Sequence, residues 1–492
     1  MKAKPSEHRT RRSAPFLAIS LGFALAPAAT AATKTWNTTS GSLSASASWS
    51  ASGTPVTTDE ALFDGTVTPA ASINTAAGTI LNFGNLIWNN NTSSTLQMNT
   101  TGVTSTQLRL TGGGGSTAAI AAGGASGDLL VMGTNATSST LTISEVNPLL
   151  GVSLRLRLDA SGNFNVVNSG ATLSIQTILS ESGTRSLTKT GAGTLLLGSA
   201  NSYTGGTTLT AGTLGLGSST ALGGGGLTIN GGRLASSVSA RTLTNAVTVG
   251  GNFTLGGLSN NRITLNGTLN LGGATRTITL DNSSTIGGTI SNGGLTLSSS
   301  GATRSLTLNS SHTYSGATLV SSGTLLVNGT LANSSSVSVS SQATIGGDGG
   351  IANALTVNSG GFLQPGITTG AVGSLDLGAL TLTGSYLATI TANGVNDFLN
   401  VTGPANFAGT IAPVLFGYTP VANDAFNLAD WTGTFSGTPT FDYSGAILGA
   451  GLAWDSSTFA SDGILRVVVV PEPAASLIGG LGLLTLLRRR RF

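Results

Sequence analysis

Carboxylate side chains are the groups in this sequence with the clearest chemical potential, because cleavage of a polysaccharide needs two Asp or Glu residues held close together. Between residues 128 and 348 no two acids are near neighbours along the chain. Stacking of a repeated fold could still bring acids of adjacent repeats together. The spacing favours isolated turn acids and predicts a protein that is not an enzyme. These acids are Asp128, Glu145, Asp159, Glu181, Asp281 and Asp348.

Metal-binding patterns are equally sparse. Asp59, Glu60 and Asp64 form the densest acidic cluster, but no EF-hand or nonapeptide calcium repeat accompanies them, so solvated turn acids are the favoured interpretation. The chain has no cysteine, which excludes disulfides and thiolate metal sites. His312 has no histidine partner nearby, and a surface turn residue is the expectation. The sequence therefore indicates no metal and no cofactor.

The C-terminal segment carries a different chemical signal. Glu472 lies between Pro471 and Pro473, and an apolar stretch over residues 474–487 follows. As a helix this stretch is about 21 Å long, short of the ~30 Å hydrocarbon core, and the two prolines prevent its extension towards the N-terminus. The basic cluster after it favours the cytoplasmic side of a membrane. That cluster consists of Arg488, Arg489, Arg490 and Arg491.

This segment resembles the PEP-CTERM sorting signal of Gram-negative bacteria. The tripeptide Pro471-Glu472-Pro473, a glycine-rich apolar helix and a terminal basic cluster occur in that order. The resemblance implies a sorting signal over 467–492, with a transmembrane helix at 474–487 and processing at the tripeptide by an exosortase, a membrane enzyme. A simple C-terminal anchor is the alternative, but it does not explain the glutamate between prolines.

The N-terminal segment has the layout of a secretory signal peptide over residues 1–32. A basic region precedes an apolar stretch, and small residues mark the cleavage region at Ala29, Ala31 and Ala32. Arg11 and Arg12 are interpreted as ordinary basic residues of the leader rather than as a twin-arginine signal. The general secretion machinery is therefore an expected partner.

Charge between the two end segments is low. Only 8% of the 492 residues are charged. Removing residues 1–32 and 471–492 takes away nine of 21 basic and two of 18 acidic residues, which leaves 12 basic and 16 acidic ones. A slightly acidic body lacks the basic patch of a nucleic-acid-binding protein.

Short runs of Thr, Leu, Val and Ile, separated by Gly, Asn and Ser, fill the middle of the chain. Such runs predict strands of about three to six residues joined by turns. Residues 202–217 match residues 313–328 at a constant offset, with Tyr203 aligned to Tyr314. Short repeats without a helical period predict a right-handed parallel β-helix of about 12–15 coils over 71–380.

The best repeat copies, 187–235 and 303–350, resemble the autotransporter-associated β-strand repeat, also called the passenger-associated transport repeat. The segment "LTKTGAGTLLLGSANSYTGGTTLTAGTL" carries the likeness, and the second copy departs from its Thr-Gly-Ala-Gly sequence. The resemblance implies an exported β-helical stalk.

The two ends of a solenoid expose edge strands and need caps. Residues 33–70 are predicted to form the N-terminal cap, with Trp36, Trp49 and Phe63 covering the hydrophobic end. An aromatic platform for carbohydrate is the alternative for these three rings. Residues 381–466, which are rich in aromatic residues, are predicted to form a C-terminal cap domain of antiparallel strands.

The function expected from these features is a structural or adhesive protein of the cell surface or extracellular matrix. The tail would tether it transiently at the inner membrane before processing and delivery. Expected partners are the secretion machinery, an exosortase-like enzyme, and exopolysaccharide or other surface proteins, but no nucleic acid. The alternatives are a β-helical polysaccharide lyase or hydrolase and a carbohydrate-binding surface module.

Overall fold

The computed structural model describes residues 32–38, 42–50, 53–65, 72–74, 80–98, 107–112, 122, 124–125, 127–145, 155–258, 260–301, 303–366 and 370–470. In these residues the chain is almost entirely β-structure. Helical turns occur only at Ser46–Ser48, a 3-10 turn, and at Phe459–Asp462. The structure thereby confirms the all-β class predicted from the sequence.

Successive strands wind in a fixed order through about 14 turns, and most turns add one strand to each of three parallel sheets. The first sheet contains Thr33–Thr35, Glu60–Phe63, Asn85–Trp88, Asp128–Met132, Gly162–Val166, Leu187–Thr190, Thr207–Leu209, Leu227–Ile229, Val247–Val249, Leu269–Asn270 and Ile290–Ser291. Its face continues with Ser311–His312, Thr330–Leu331, Phe398–Val401 and Ala429–Trp431.

The second sheet contains Ser72–Asn74, Ser94–Met98, Thr140–Glu145, Thr172–Ile175, Thr194–Leu197, Thr213–Leu216, Arg233–Ser236, Phe253–Leu255, Thr275–Leu280, Gly294–Ser299, Thr318–Val320, Val337–Val339, Ala405–Phe407 and Phe435–Ser436. Two long strands run from the first face onto the second, Gly350–Val357 and Ser374–Leu382.

The third sheet has two parts. The first part contains Ile80–Phe83, Gln107–Leu110, Arg155–Leu158 and Ile178–Glu181. The second part contains Arg241–Leu243, Ile263–Leu265, Ser284–Ile286, Ser305–Leu308, Gly323–Val327, Ala343–Gly347, Phe362–Pro365, Ser385–Ala392, Thr410–Leu415 and Thr440–Phe441. Residues 182–240 contribute no strand to this face.

Leucines stack in register through the centre of the solenoid. Alternation along each strand points every second residue inwards, and parallel pairing places the inward residue of one coil directly over that of the next. In the second sheet the resulting column is completely buried, and each of its side chains contributes about 1.5–3 kcal/mol through burial. The column consists of Leu141, Leu173, Leu195, Leu214, Leu234 and Leu255.

Glycines form a matching column at the corner that precedes this sheet. Gly191, Gly212 and Gly232 all have positive φ, at 74°, 68° and 77°. A Cβ at Gly212 would overlap the carbonyl oxygen of Gly191 on the coil below. Glycine is therefore required here by both the backbone conformation and the close stacking of coils.

Aromatic rings fill the interior at the N-terminal end. Trp36, Trp49 and Phe63 are each at most 2% exposed, and their ring centroids lie 5.3 to 5.6 Å apart. Trp36 lies next to the strand Thr33–Thr35, which pairs in parallel with Glu60–Phe63. Because the rings are buried, they do not form a solvent-facing carbohydrate platform.

Parallel pairing continues well past residue 380. Ser385–Ala392 pairs in parallel with Thr410–Leu415, which in turn pairs with Thr440–Phe441. The antiparallel cap domain predicted over 381–466 is therefore not confirmed. The alternation of inward apolar residues persists there, as at Leu399 and Val401, and keeps the chain in the same winding.

Antiparallel pairs are few in the described part of the chain. A short hairpin joins Ser385–Ala392 to Val395–Asn396. A three-stranded sheet places Ile464–Val469 between Ala425–Asn427 and Leu452–Asp455. Its Phe426 packs against Trp454 at a ring-centroid distance of 5.7 Å.

We expect Leu214→Ala to lower the free energy of unfolding by about 2–5 kcal/mol, because it leaves a cavity in the stacked column. The matched control is Leu319→Ala in the same sheet, whose side chain points outwards and is 37% exposed. Its loss should be within about 0.5 kcal/mol. Urea unfolding together with hydrogen exchange would measure both effects. Equal losses for the two variants would contradict the stacking of residues described above.

Candidate functional site

The residues predicted to direct export and sorting lie mostly outside the described residues. Ala32, at the end of the predicted leader, is described: its amide donates to Asp59 Oδ1 at 3.3 Å, and its carbonyl accepts from the amide of Glu60 at 2.9 Å. The chain thus joins the first coil at the last residue of the predicted leader. The residues outside are Ala29, Ala31, Pro471, Glu472, Pro473, Arg488, Arg489, Arg490 and Arg491.

The apolar segment 474–487 also lies outside the described residues. Among those that are described, none belongs to a helix of sufficient length and hydrophobicity to traverse a bilayer.

Two acids of the predicted solvated cluster are buried. Asp59 is 5% exposed, and its second carboxylate oxygen accepts the amide of Val56 at 3.1 Å. Glu60 is 1% exposed and accepts the hydroxyl of Thr33 at 3.0 Å. The prediction of solvated turn acids is wrong for both, because they fasten the first strand to the second. The described ranges contain no group of three or more His, Cys, Asp or Glu residues that could hold a metal ion.

Asp128 links neighbouring coils. It is 1% exposed and accepts the side-chain amides of Asn163 and Asn165, each at 2.9 Å. The backbone amide of Ala125 donates to it at 2.7 Å. These donors all belong to the solenoid, and the geometry of Asp128 fits a structural role.

The coils do bring two distant carboxylates together. Asp397 Oδ1 accepts the amide of Gly373 at 2.8 Å, and Asp348 Oδ1 accepts that of the next residue, Ser374, at 2.9 Å. Asp397 is completely buried, which raises its pKa to about 6, and its other oxygen accepts the amide of Thr389 at 2.8 Å. Asp348 is exposed. A substrate could reach only one of the two, so the pair fits poorly with acid–base catalysis.

His312 is buried, so the prediction of a surface turn residue is wrong. Its Nδ1 accepts the backbone amide of Ile290 at 3.0 Å, and burial lowers the pKa of the imidazole to about 4. The neutral ring thus replaces a backbone acceptor between coils. Asn201 does the same in the first repeat copy, where its Oδ1 accepts the amide of Leu179 at 2.8 Å. The offset that aligns Tyr203 with Tyr314 also aligns Asn201 with His312, and this was the signal available in the sequence.

The repeat tyrosines form the same buried pair in both copies. The hydroxyls of Tyr203 and Thr207 lie 2.6 Å apart, as do those of Tyr314 and Thr318. All four residues are at most 2% exposed. Between each pair lies a glycine; at Gly205 a Cβ would overlap the backbone of the coil below. The Tyr-x-Gly-x-Thr spacing is therefore a tight turn that closes the coil around a buried hydrogen bond.

The two copies of this turn lie on different faces of the solenoid. In the first copy the chain passes from Thr194–Leu197 in the second sheet, through the turn, to Thr207–Leu209 in the first sheet. In the second copy it passes from Ser311–His312 on the first face, through the turn, to Thr318–Val320 in the second sheet. The repeat is thus displaced by one face around the axis.

Lys189, in the first copy, points into the core. It is completely buried in a column with Phe164 and Leu209, with which it is in register. Its Nζ donates to the carbonyl oxygens of Thr190, Gly191 and Ala211 at 2.5, 2.8 and 3.3 Å. Burial lowers the pKa of this ammonium to about 7. The ammonium group therefore donates hydrogen bonds to carbonyl oxygens at the corner of two coils, but its charge is removed from water.

We expect Tyr203→Phe to cost about 1–3 kcal/mol of stability, because it leaves the buried Thr207 hydroxyl without its partner. The double variant Tyr203→Phe/Thr207→Val should recover part of this loss. Chemical unfolding of the two single variants, the double variant and the parent completes the mutant cycle. Strictly additive losses would show that the two hydroxyls do not interact.

The buried lysine predicts a pH dependence. Between about pH 7 and its ordinary pKa of 10.5, Lys189 binds more protons in the unfolded state than in the folded one, so stability should rise with pH. Lys189→Met should remove this rise, whereas the control Lys34→Met should retain it. Urea midpoints measured from pH 7 to 9 test this expectation. An unchanged rise in Lys189→Met would assign the dependence to another group.

Comparison with known proteins identifies the segments that contain these turns. Residues 187–216 and 303–327 match the family model of the passenger-associated-transport repeat. No curated protein matches the chain. The two matched segments include both buried Tyr–Thr pairs. The chain therefore contains two passenger-associated-transport repeats, both wound into a parallel β-solenoid.

Proposed function

We propose that this chain is a structural or adhesive protein of the cell surface or extracellular matrix, exported and then processed at its C-terminal tail. The observation that carries the proposal is the presence of two passenger-associated-transport repeats in a solenoid of about 14 turns. Repeats of this kind suggest an exported surface protein. Right-handed winding, which parallel crossovers favour, is part of the proposal.

A ladder of threonines on the outer surface supports a structural or adhesive role. Thr188, Thr208, Thr228 and Thr248 are in register on successive strands of the first sheet and point away from the core. Adjacent strands lie about 4.8 Å apart, so hydroxyl groups repeat at that spacing. Such an uncharged, periodic surface suits many weak contacts with an exopolysaccharide or with other surface proteins.

A non-enzymatic role is favoured over a polysaccharide lyase or hydrolase. The acids Asp59, Asp128 and Asp397 are buried and accept backbone or amide hydrogen bonds of the solenoid. Carboxylates engaged in this way are poorly placed to exchange protons with a substrate.

Export by the general secretion machinery would be followed by transient tethering at the inner membrane through residues 474–487. The strand Ile464–Val469 ends two residues before Pro471, so the proposed processing tripeptide follows the last strand directly. An exosortase-like enzyme would act at Pro471-Glu472-Pro473 and release the body to the surface.

Intact-mass analysis of the exported protein tests the processing proposal. We expect the parent to lack the terminal arginines and Glu472→Ala to retain them. The exposed acid Asp442 provides a control outside the tail, and Asp442→Ala should be processed like the parent. Retention of the arginines by the parent, or their removal from Glu472→Ala, would overturn the proposal.

A further inference from the structure

A polar groove crosses three consecutive coils, at the N-terminal ends of three neighbouring strands of the third sheet. It has a volume of about 390 Å³, within the ~300–1,000 Å³ typical of small-molecule sites. Its lining has two guanidinium groups, two amides and two hydroxyls, and no acid. The lining residues are Asn260, Arg262, Asn282, Ser283, Thr303 and Arg304.

Strand register explains why two arginines that are distant in sequence share this groove. Arg262 immediately precedes Ile263–Leu265, and Arg304 lies just before Ser305–Leu308. The strand Ser284–Ile286 lies between these two and pairs with both. The arginines are therefore two coils apart, or about 10 Å along the axis.

The two guanidinium groups are held differently. Arg304 is half-buried, and its Nη1 donates to Asn282 Oδ1 at 2.6 Å, which directs it towards the middle coil. Its Nε is buried and has no hydrogen-bond acceptor in the described part of the chain. Arg262 is exposed. The side chain of Arg304 is thus preorganised by its hydrogen bond, whereas the exposed side chain of Arg262 can change its conformation.

The charged side chains that line the groove are both positive. Neither arginine forms an ion pair within the described ranges, and Arg241 on the preceding coil forms none either. The nearest acid along the chain, Asp281, is paired with Arg233. Locally the groove is therefore positive, although the body as a whole carries more acidic than basic residues.

We propose that this groove binds the carboxylate or sulfate groups of an acidic polysaccharide. Guanidinium groups bind planar or tetrahedral oxyanions through paired N–H donors, and the amides and hydroxyls between them can bind sugar hydroxyls. Two cationic positions separated by a polar segment fit a charged glycan chain laid along the axis better than a single small anion. The proposal extends the proposed surface function by naming the class of polysaccharide, and it relies on that function only for access to the glycan.

Binding of the purified full-length protein to polygalacturonate, dextran sulfate and neutral dextran tests this assignment. We expect the two acidic polymers to bind and neutral dextran not to bind. Arg262→Gln/Arg304→Gln should weaken binding at least tenfold. A control with the same loss of charge outside the groove, Arg155→Gln/Arg276→Gln, should stay within twofold of the parent, because Arg155 lies on a distant coil and Arg276 lies in the second sheet.

Three results would overturn the proposal: equal losses in both double variants, equal binding of neutral dextran, or full competition by inorganic sulfate at matched charge. Arg304→Gln removes the contact with Asn282, so the exposed Arg262→Gln alone serves as a second test and should weaken binding about threefold or more. No effect of Arg262→Gln in a folded protein would also contradict the groove. The binding assay uses purified protein, so a negative binding result does not contradict the sorting proposal. Likewise, retention of the tail in the intact-mass analysis does not contradict glycan binding by the groove.

Discussion

The in-register stacking of inward side chains is the constraint on which the rest of the structure depends. Each coil buries its Leu, Ile or Val directly over those of the coil below, as in the column that includes Leu195, Leu214 and Leu234. Neighbouring coils then lie so close that corners such as Gly212 have no room for a side chain. Polar groups that point inwards must find partners on adjacent coils, and this requirement explains the buried Lys189, Asp128 and His312.

Much of the fold follows from local sequence signals. Alternating apolar residues and regularly spaced glycines predict strands and corners, because both depend only on near neighbours in the chain. The C-terminal region was harder to predict. Its aromatic residues suggest a separate core, yet Phe407, Trp431 and Phe435 pack on one another inside the same winding. A high content of aromatic residues does not by itself distinguish coils of the same solenoid from a separate domain.

The polar sites were less accessible from sequence, because their partners lie one or more coils away. Asp348 and Asp397 accept the backbone amides of two consecutive residues. Arg262 and Arg304 line one groove. Which residues meet depends on the length of every intervening turn, and these lengths vary from coil to coil. The repeat alignment could have revealed the role of His312 through its equivalence to Asn201, since both replace a backbone acceptor.

The displacement of the Tyr-x-Gly-x-Thr turn by one face bears on how such a chain can grow. The turn pairs its own two hydroxyls and packs closely on the backbone of the coil below, and it does so both before a strand of the first sheet and before a strand of the second. A duplicated segment need not contain a whole number of coils to be accommodated. Insertions of irregular length in the gene could therefore lengthen the solenoid without disturbing the coils on either side. The same surface residues would then lie on different faces of the solenoid in different relatives.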